Sequence, residues 1–151
     1  MNIFSRKYLS KEELQTISDA IGEVEKTTSG EIRVVARHQR HRNEKAMSLH
    51  DLALHEFYQL GMDKTRDRTG VLILLLFSER KFHIVADEGI HTKVDEGTWE
   101  NLAARMSVHF KEGKYCDGIV HAVREAGLLL AKFFPRQSGD VNELSNNVVE
   151  E

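Results

Sequence analysis

Apolar positions fall in blocks along the chain, and one block frames the rest. Residues 69–89 read TGVLILLLFSERKFHIVADEG. After Gly70 come Val71, Leu72, Ile73, Leu74, Leu75, Leu76 and Phe77, with no polar residue among them. A run this short, entered at glycine and left at Ser78-Glu79-Arg80, predicts a strand covered on both faces. The next block predicts a second strand. Phe82, Ile84 and Ala86 alternate there with Lys81, His83 and Val85, giving one core face and one mixed face. The short polar turn between the two permits only antiparallel pairing. The hairpin closes in Asp87-Glu88-Gly89, at a strand's carboxyl end, where open α/β sheets place their sites.

The remaining blocks carry the period of helices. Ser10 with Glu13 has the form of a capping box, and Leu14, Ile17, Ile21 and Val24 mark one face of the helix that follows. Residues 27–30 stop it, and Glu31-Ile32-Arg33-Val34-Val35-Ala36 reads as a strand. A basic linker, RHQRHRN, precedes a helix expected over about residues 44–60, with Leu49, Ala53, Phe57 and Leu60 inward. Asp95 is expected to cap a third helix on Trp99, Leu102, Ala103, Met106 and Phe110. Asp117 is expected to cap a fourth on Val120, Val123, Gly127, Leu130, Ala131 and Phe134, stopped by Pro135. The order α-β-α-β-β-α-α predicts an α/β fold, a three-layer α/β/α sandwich with a small mixed sheet. Its first two strands should be parallel through a right-handed crossover.

Composition adds limits. The 151 residues suit one domain, with residues 1–9 as lead-in, 10–135 as the folded unit and 136–151 as a disordered acidic tail. That tail sets Arg136 against Asp140, Glu143, Glu150 and Glu151, and so accounts for the whole formal net charge of -3. The balanced remainder offers no field for nucleic acid. One cysteine, Cys116, allows no disulfide within the chain. No apolar run approaches a membrane span, so the expectation is a cytoplasmic monomer.

Candidate chemistry is sparse. Asp87, Glu88, Asp95 and Glu96 form an acidic set that could offer oxygen ligands to a hard cation such as Ca2+ or Mg2+. The same residues also read as helix caps and a solvated turn. Phosphoryl chemistry would draw on Arg33, Arg80 and Asp87, yet no Walker loop or Cys-x5-Arg signature accompanies them. Among eight histidines, His38 and His41 sit in the linker, His50 and His55 are poorly spaced, His83 lies on the mixed strand face, and His91 follows the acidic turn. None belongs to a zinc motif. The linker's Arg37, Arg40, Arg42 and Lys45 read as a solvated loop, and Cys116 beside Asp117 is no activated nucleophile.

Three separated stretches, TSGEIRVV (28–35), TGVLILLLFSERKFHIVADEGI (69–90) and FKEGKYCDGI (110–119), resemble the TPM domain family in order and spacing over about residues 10–135. Thr69-Gly70 stands where the family pattern has Asn-Gly, and Asp87-Glu88-Gly89 stands where it has Gly-x-Gly. The resemblance is to the family's short soluble members. It implies a binding protein, with calcium as a candidate ligand at the acidic set. Acid phosphatase activity on phosphomonoesters is the alternative it carries. A further alternative is an interaction module for a membrane-protein partner.

Overall fold

The computed structural model describes residues 8–140 and 143–151. The lead-in expected over residues 1–9 therefore lies outside the described residues, except for Tyr8 and Leu9.

Among the described residues, five α-helices and four strands follow one another. They are α1 (Lys11–Glu25), β1 (Glu31–Arg37), α2 (Leu49–Gln59), β2 (Gly70–Leu76), β3 (Lys81–Ala86), α3 (Glu88–His91), α4 (Thr98–Lys111), α5 (Tyr115–Phe133) and β4 (Val149–Glu150). The sheet order is β3-β2-β1-β4. β1 pairs in parallel with β2, from Glu31 opposite Gly70 to Arg37 opposite Leu76. β2 and β3 form the antiparallel hairpin, with Leu74 opposite His83.

β2 is buried at every position. Val71, Ile73 and Leu75 join Ile32, Val34, Ile84 and the inner faces of α1, α4 and α5. Leu72, Leu74 and Leu76 join Val35, Val85, Leu52, Ala53 and Phe57 on the α2 side. This explains the unbroken apolar run: both faces of the strand meet helices. On the first side α1 and α5 cross closely. A Cβ added to Gly127 would come 2.5 Å from Cγ1 of Val24, so only glycine permits that approach.

Four local readings are corrected. α2 begins at Leu49, not near residue 44, because the Ser48 side chain accepts a hydrogen bond from the Asp51 amide and caps it there. α4 begins after Gly97, whose φ of 83° turns the chain, so Asp95 is not its cap. Residues expected as an open connector instead form α3, capped by Asp87. Asp117 lies inside the first turn of α5, which starts at Tyr115.

The stretch 136–151, expected to lack structure, contributes β4. Val149 and Glu150 pair in parallel with Val35 and Ala36. Val148 and Val149 then turn toward opposite faces of the sheet, one to each hydrophobic core.

Candidate functional site

The turn that ends β2 and the corner between α4 and α5 meet at one end of the sheet. After Leu76 the chain makes a short 3-10 turn at Phe77–Glu79, and Arg80 adopts a φ of 53° to re-enter as β3. A non-glycine residue in this left-handed region is uncommon and places Arg80 at the apex. Across from it, Gly113 with φ 74° breaks the chain between α4 and α5. A Cβ at Gly118 would lie 3.0 Å from both Cβ of His109 and Cε1 of Phe110, which holds α5 tightly under α4.

These two corners enclose a cleft of about 510 Å3. Its floor is aromatic. Phe82 and Phe110 meet edge to face at 5.0 Å, and Phe110 meets Tyr115 at 5.1 Å. Tyr115 also meets Phe77 at 5.8 Å, and Tyr8 stacks on the far face of that cluster with its ring 4.3 Å from Phe77. Such pairs each add about 1 kcal/mol beyond their buried area, so the floor is a rigid platform. The rim is cationic: Arg80, Lys81 and Lys111 line the cleft, and all three are exposed. Among the described residues no Asp, Glu or His lines it. The carboxylates next in sequence to its cations are engaged elsewhere, Glu79 with Arg40 at 2.6 Å and Glu112 with Lys114 at 3.4 Å. Each part of the FKEGKYCDGI motif thus has a task here: Phe110 and Tyr115 build the floor, Gly113 the corner, Gly118 the helix contact.

A second groove of about 530 Å3 runs between α1 and α5 along Ala20, Val24, Gly127 and Leu128. It lacks an aromatic floor, and Asp19 and Glu23 oppose Arg124 on its walls. No single sign of charge converges there.

The acidic set is arranged differently from a ligand cage. Asp87 is buried and accepts two hydrogen bonds from Arg68, Nε to Oδ2 at 2.8 Å and Nη2 to Oδ1 at 2.9 Å. Its Oδ1 also accepts from the Glu88 amide at 2.7 Å. Glu88, Asp95 and Glu96 are exposed. Among the described residues no three His, Cys, Asp or Glu side chains converge as a metal-binding group. Arg33 and Arg80, grouped by sequence as phosphoryl candidates, sit apart: Arg80 on the cleft, Arg33 beside Glu25 and Glu31.

Of the histidines, His50 and His83 meet, Nδ1 to Nε2 at 2.9 Å. Burial, and then His50, draw His83 below the usual imidazole value. His55 and His91 are exposed. Burial pushes the Cys116 thiol up to about 11, with Glu13 and Asp117 adding to the effect, so it is a packed side chain and not a thiolate.

The basic linker is solvated at Arg42 and Lys45, as read, but not at Arg37, which ends β1, or at Arg40, which is half-buried against Glu79. Arg37 is fully buried and pairs with Glu44 at 2.5 Å and Glu56 at 3.3 Å. Glu151 approaches its Nε at 3.6 Å. Hydrogen bonding to Arg37 holds Glu44 down at about 2. Burial, then Glu151, raise Glu56 to about 7. At the other end of β1, burial together with Glu31 raises Glu25 to about 9. Sequence reasoning passed over both clusters. The signal was periodic: Glu56 falls one turn on from Leu52, and Glu25 one turn on from Ile21, each on a core face.

The fold and the cleft define a small three-layer α/β domain. The chain belongs to the TPM domain family, whose model matches residues 4–128. It is similar to the BA42 protein of the psychrophilic bacterium Bizionia argentinensis, solved by NMR. That match has 35% identity and a TM-score of 0.85, over 95% of this chain and 96% of that one. A weaker likeness, to the N-terminal domain of a protein from P. gingivalis, concerns the fold alone. It has 20% identity and a TM-score of 0.67, over 83% of this chain and 78% of that one. No curated protein sequence matches. No helix among the described residues is long and apolar enough to cross a membrane.

Proposed function

We propose that this TPM domain is a ligand-binding module whose site is the aromatic cleft between the β2–β3 turn and the α4–α5 corner. Its ligand has a flat apolar body and an anionic group, as in an aromatic carboxylate or a phosphate monoester. The observation that carries this reading is the pairing of an aromatic floor with three exposed cations, Arg80, Lys81 and Lys111. Apolar surface with a few convergent polar groups is the usual make-up of a small-molecule site. Cationic side chains over a stacking floor select for negative charge and planarity together. The same walls favour binding over hydrolysis, because among the described residues no imidazole or carboxylate lines them to act as general base. Dependence on Ca2+ or Mg2+ through Asp87, Glu88, Asp95 and Glu96 draws its support from the family resemblance, not from the arrangement of those side chains.

Titration of the labelled protein with phenyl phosphate tests both sides of this reading. The amides of residues 80–82 and 110–115 should shift. Benzyl alcohol should shift them far less, and Arg80→Glu with Lys111→Glu should abolish the response. Shifts centred elsewhere, or an equal response to benzyl alcohol, overturn the site. Release of inorganic phosphate above that of the double variant would establish the phosphatase reading in its place.

A further inference from the structure

β1 lies between β2 and β4, but the two neighbours differ in kind. β2 pairs along its whole length, Glu31–Arg37. β4 pairs only with Val35 and Ala36. Beyond the ladder, the His38 amide donates to the Glu151 carbonyl at 3.1 Å and the Glu151 amide donates to the Ala36 carbonyl at 2.9 Å. Val149 packs on the α2-side core, and the Glu151 carboxylate reaches the buried Arg37. The strand-bearing segment is only half-buried. A short, partly exposed strand of this kind is at the low end of local stability. Without it, β1 would present an unpaired edge, the template that extended peptides join.

We propose that this outer edge of β1 is a docking strip for an extended peptide of a partner protein, one with an apolar residue followed by acidic residues, and that residues 149–151 occupy it in cis. The cis segment displays the chemistry the strip reads: an apolar side chain beside Val35, two main-chain hydrogen bonds, and a carboxylate toward Arg37. A partner peptide has more to gain than a second copy of the chain. The second copy would bring the same two paired residues and would still lose the freedom that association costs. An independent peptide can continue the ladder back along β1 toward Val34. The ion cluster makes the strip proton-linked. Arg37 from β1 and Glu56 from α2 face the incoming carboxylate, while Glu44 pairs with Arg37 from the other side and His41 pairs with Glu44. Burial and that carboxylate together raise Glu56, so docking takes up a proton and is favoured at lower pH.

The test uses the full chain and a fluorescent peptide of the sequence ELSNNVVEE, residues 143–151. Val149→Asp loosens the cis strand by withdrawing its side chain from the α2-side core, and Glu151→Lys repels Arg37; neither replaces a residue of α1–α5 or β1–β3. Both variants should bind the peptide at least tenfold more tightly than the unaltered chain. The His38 amide should exchange faster in both and recover protection when peptide is added. A peptide with both valines replaced by aspartate should not bind. Equal binding by variants and unaltered chain overturns the proposal. So does a His38 amide that stays unprotected in the variants after peptide is added. A dimer that excess peptide does not dissolve overturns it in favour of a second copy. Because the strip and the aromatic cleft share no residue in this test, phenyl phosphate titration remains an independent reading of the cleft.

Discussion

Arg68 clasps Asp87 with two parallel hydrogen bonds, at 2.8 and 2.9 Å, and so ties the loop before β2 to the end of β3. The clasp works because the two backbones nearly touch. A Cβ on Gly89 would collide with the carbonyl oxygens of Asp67 and Arg68, and Arg68 itself adopts a φ of 56°. Gly89→Ala should therefore destabilise the domain more than loss of a cap does. Asp87→Ala, which removes the α3 cap, should cost at least about 1 kcal/mol. Urea unfolding of both variants checks the ranking; an alanine at residue 89 with unchanged midpoint would contradict the close approach.

The same clasp governs any divalent cation at the acidic set. Both Asp87 oxygens already serve Arg68, so a cation that enlists Asp87 must first displace the guanidinium. Arg68→Gln should then strengthen calcium binding across Asp87, Glu88, Asp95 and Glu96. The measure is the calcium midpoint of the amide shifts over residues 87–96. A midpoint no lower in the variant would remove Asp87 from the proposed ligands.

Leu74 tests the layer architecture. It is fully buried on the α2 side, between Val35 on β1 and His83 on β3 in register. Leu74→Asp places a carboxylate among Leu52, Ala53 and Phe57, where the polar neighbour in register, His83, is drawn toward its neutral form by burial and is already engaged with His50. That costs several kcal/mol against a total stability of about 5–15. The variant should be unfolded by circular dichroism; a native spectrum would refute a sheet covered on both sides.

The hairpin and the four long helices were legible because their apolar periods are long and uninterrupted, as at Leu14, Ile17 and Ile21 or from Val71 to Phe77. Helix starts were less so. Glu44 and Lys45 have good helix propensity, yet Glu44 ends a short 3-10 turn, Arg42–Glu44, with its carboxylate on Arg37, and Ser48 supplies the cap from which α2 starts. β4 could not be read at all, since two paired residues have no period. For the candidate site, the FKEGKYCDGI motif marked the place but not its use. The cleft forms only when the corner between α4 and α5 meets Arg80, whose exposed position is a property of the turn. Carboxylates adjacent in sequence suggested a metal site, while the fold gave Asp87 to an arginine nineteen residues away in the chain.

Glu25 and Glu31 set the pH dependence of stability. Glu25 ends α1 and Glu31 begins β1; both are buried, at 4% and 1% exposure. The Ile32 amide donates to Glu25 Oε2, and the Glu143 amide donates to Glu31 Oε1. The remaining oxygens, Glu25 Oε1 and Glu31 Oε2, are buried with no other hydrogen-bond partner, and one proton held between the two carboxyls would satisfy both. Arg33 lies beside them and balances the single negative charge that is left. Burial, reinforced by Glu31, lifts Glu25 from 4.5 to about 9. An acid raised by folding holds its proton to higher pH in the native state than in the unfolded one. The native chain therefore binds more protons between pH 4.5 and about 9, and stability falls as pH rises through that window. Glu56, raised to about 7, acts in the same direction but is spent above that pH. The interval from pH 7 to 8.5 is thus dominated by the Glu25–Glu31 pair, with Glu56 adding only near its lower end. There the loss should approach about 1.4 kcal/mol per pH unit for one linked proton. Glu25→Gln mimics the protonated side chain, since its amide oxygen can accept from Ile32 and its NH2 group can donate to Glu31. That variant should match the unaltered protein at pH 5, exceed it at pH 8.5, and show little slope between pH 7 and 8.5. Urea midpoints across this range decide the matter: a variant that follows the unaltered protein's slope would show that the pair does not hold a proton in the native fold.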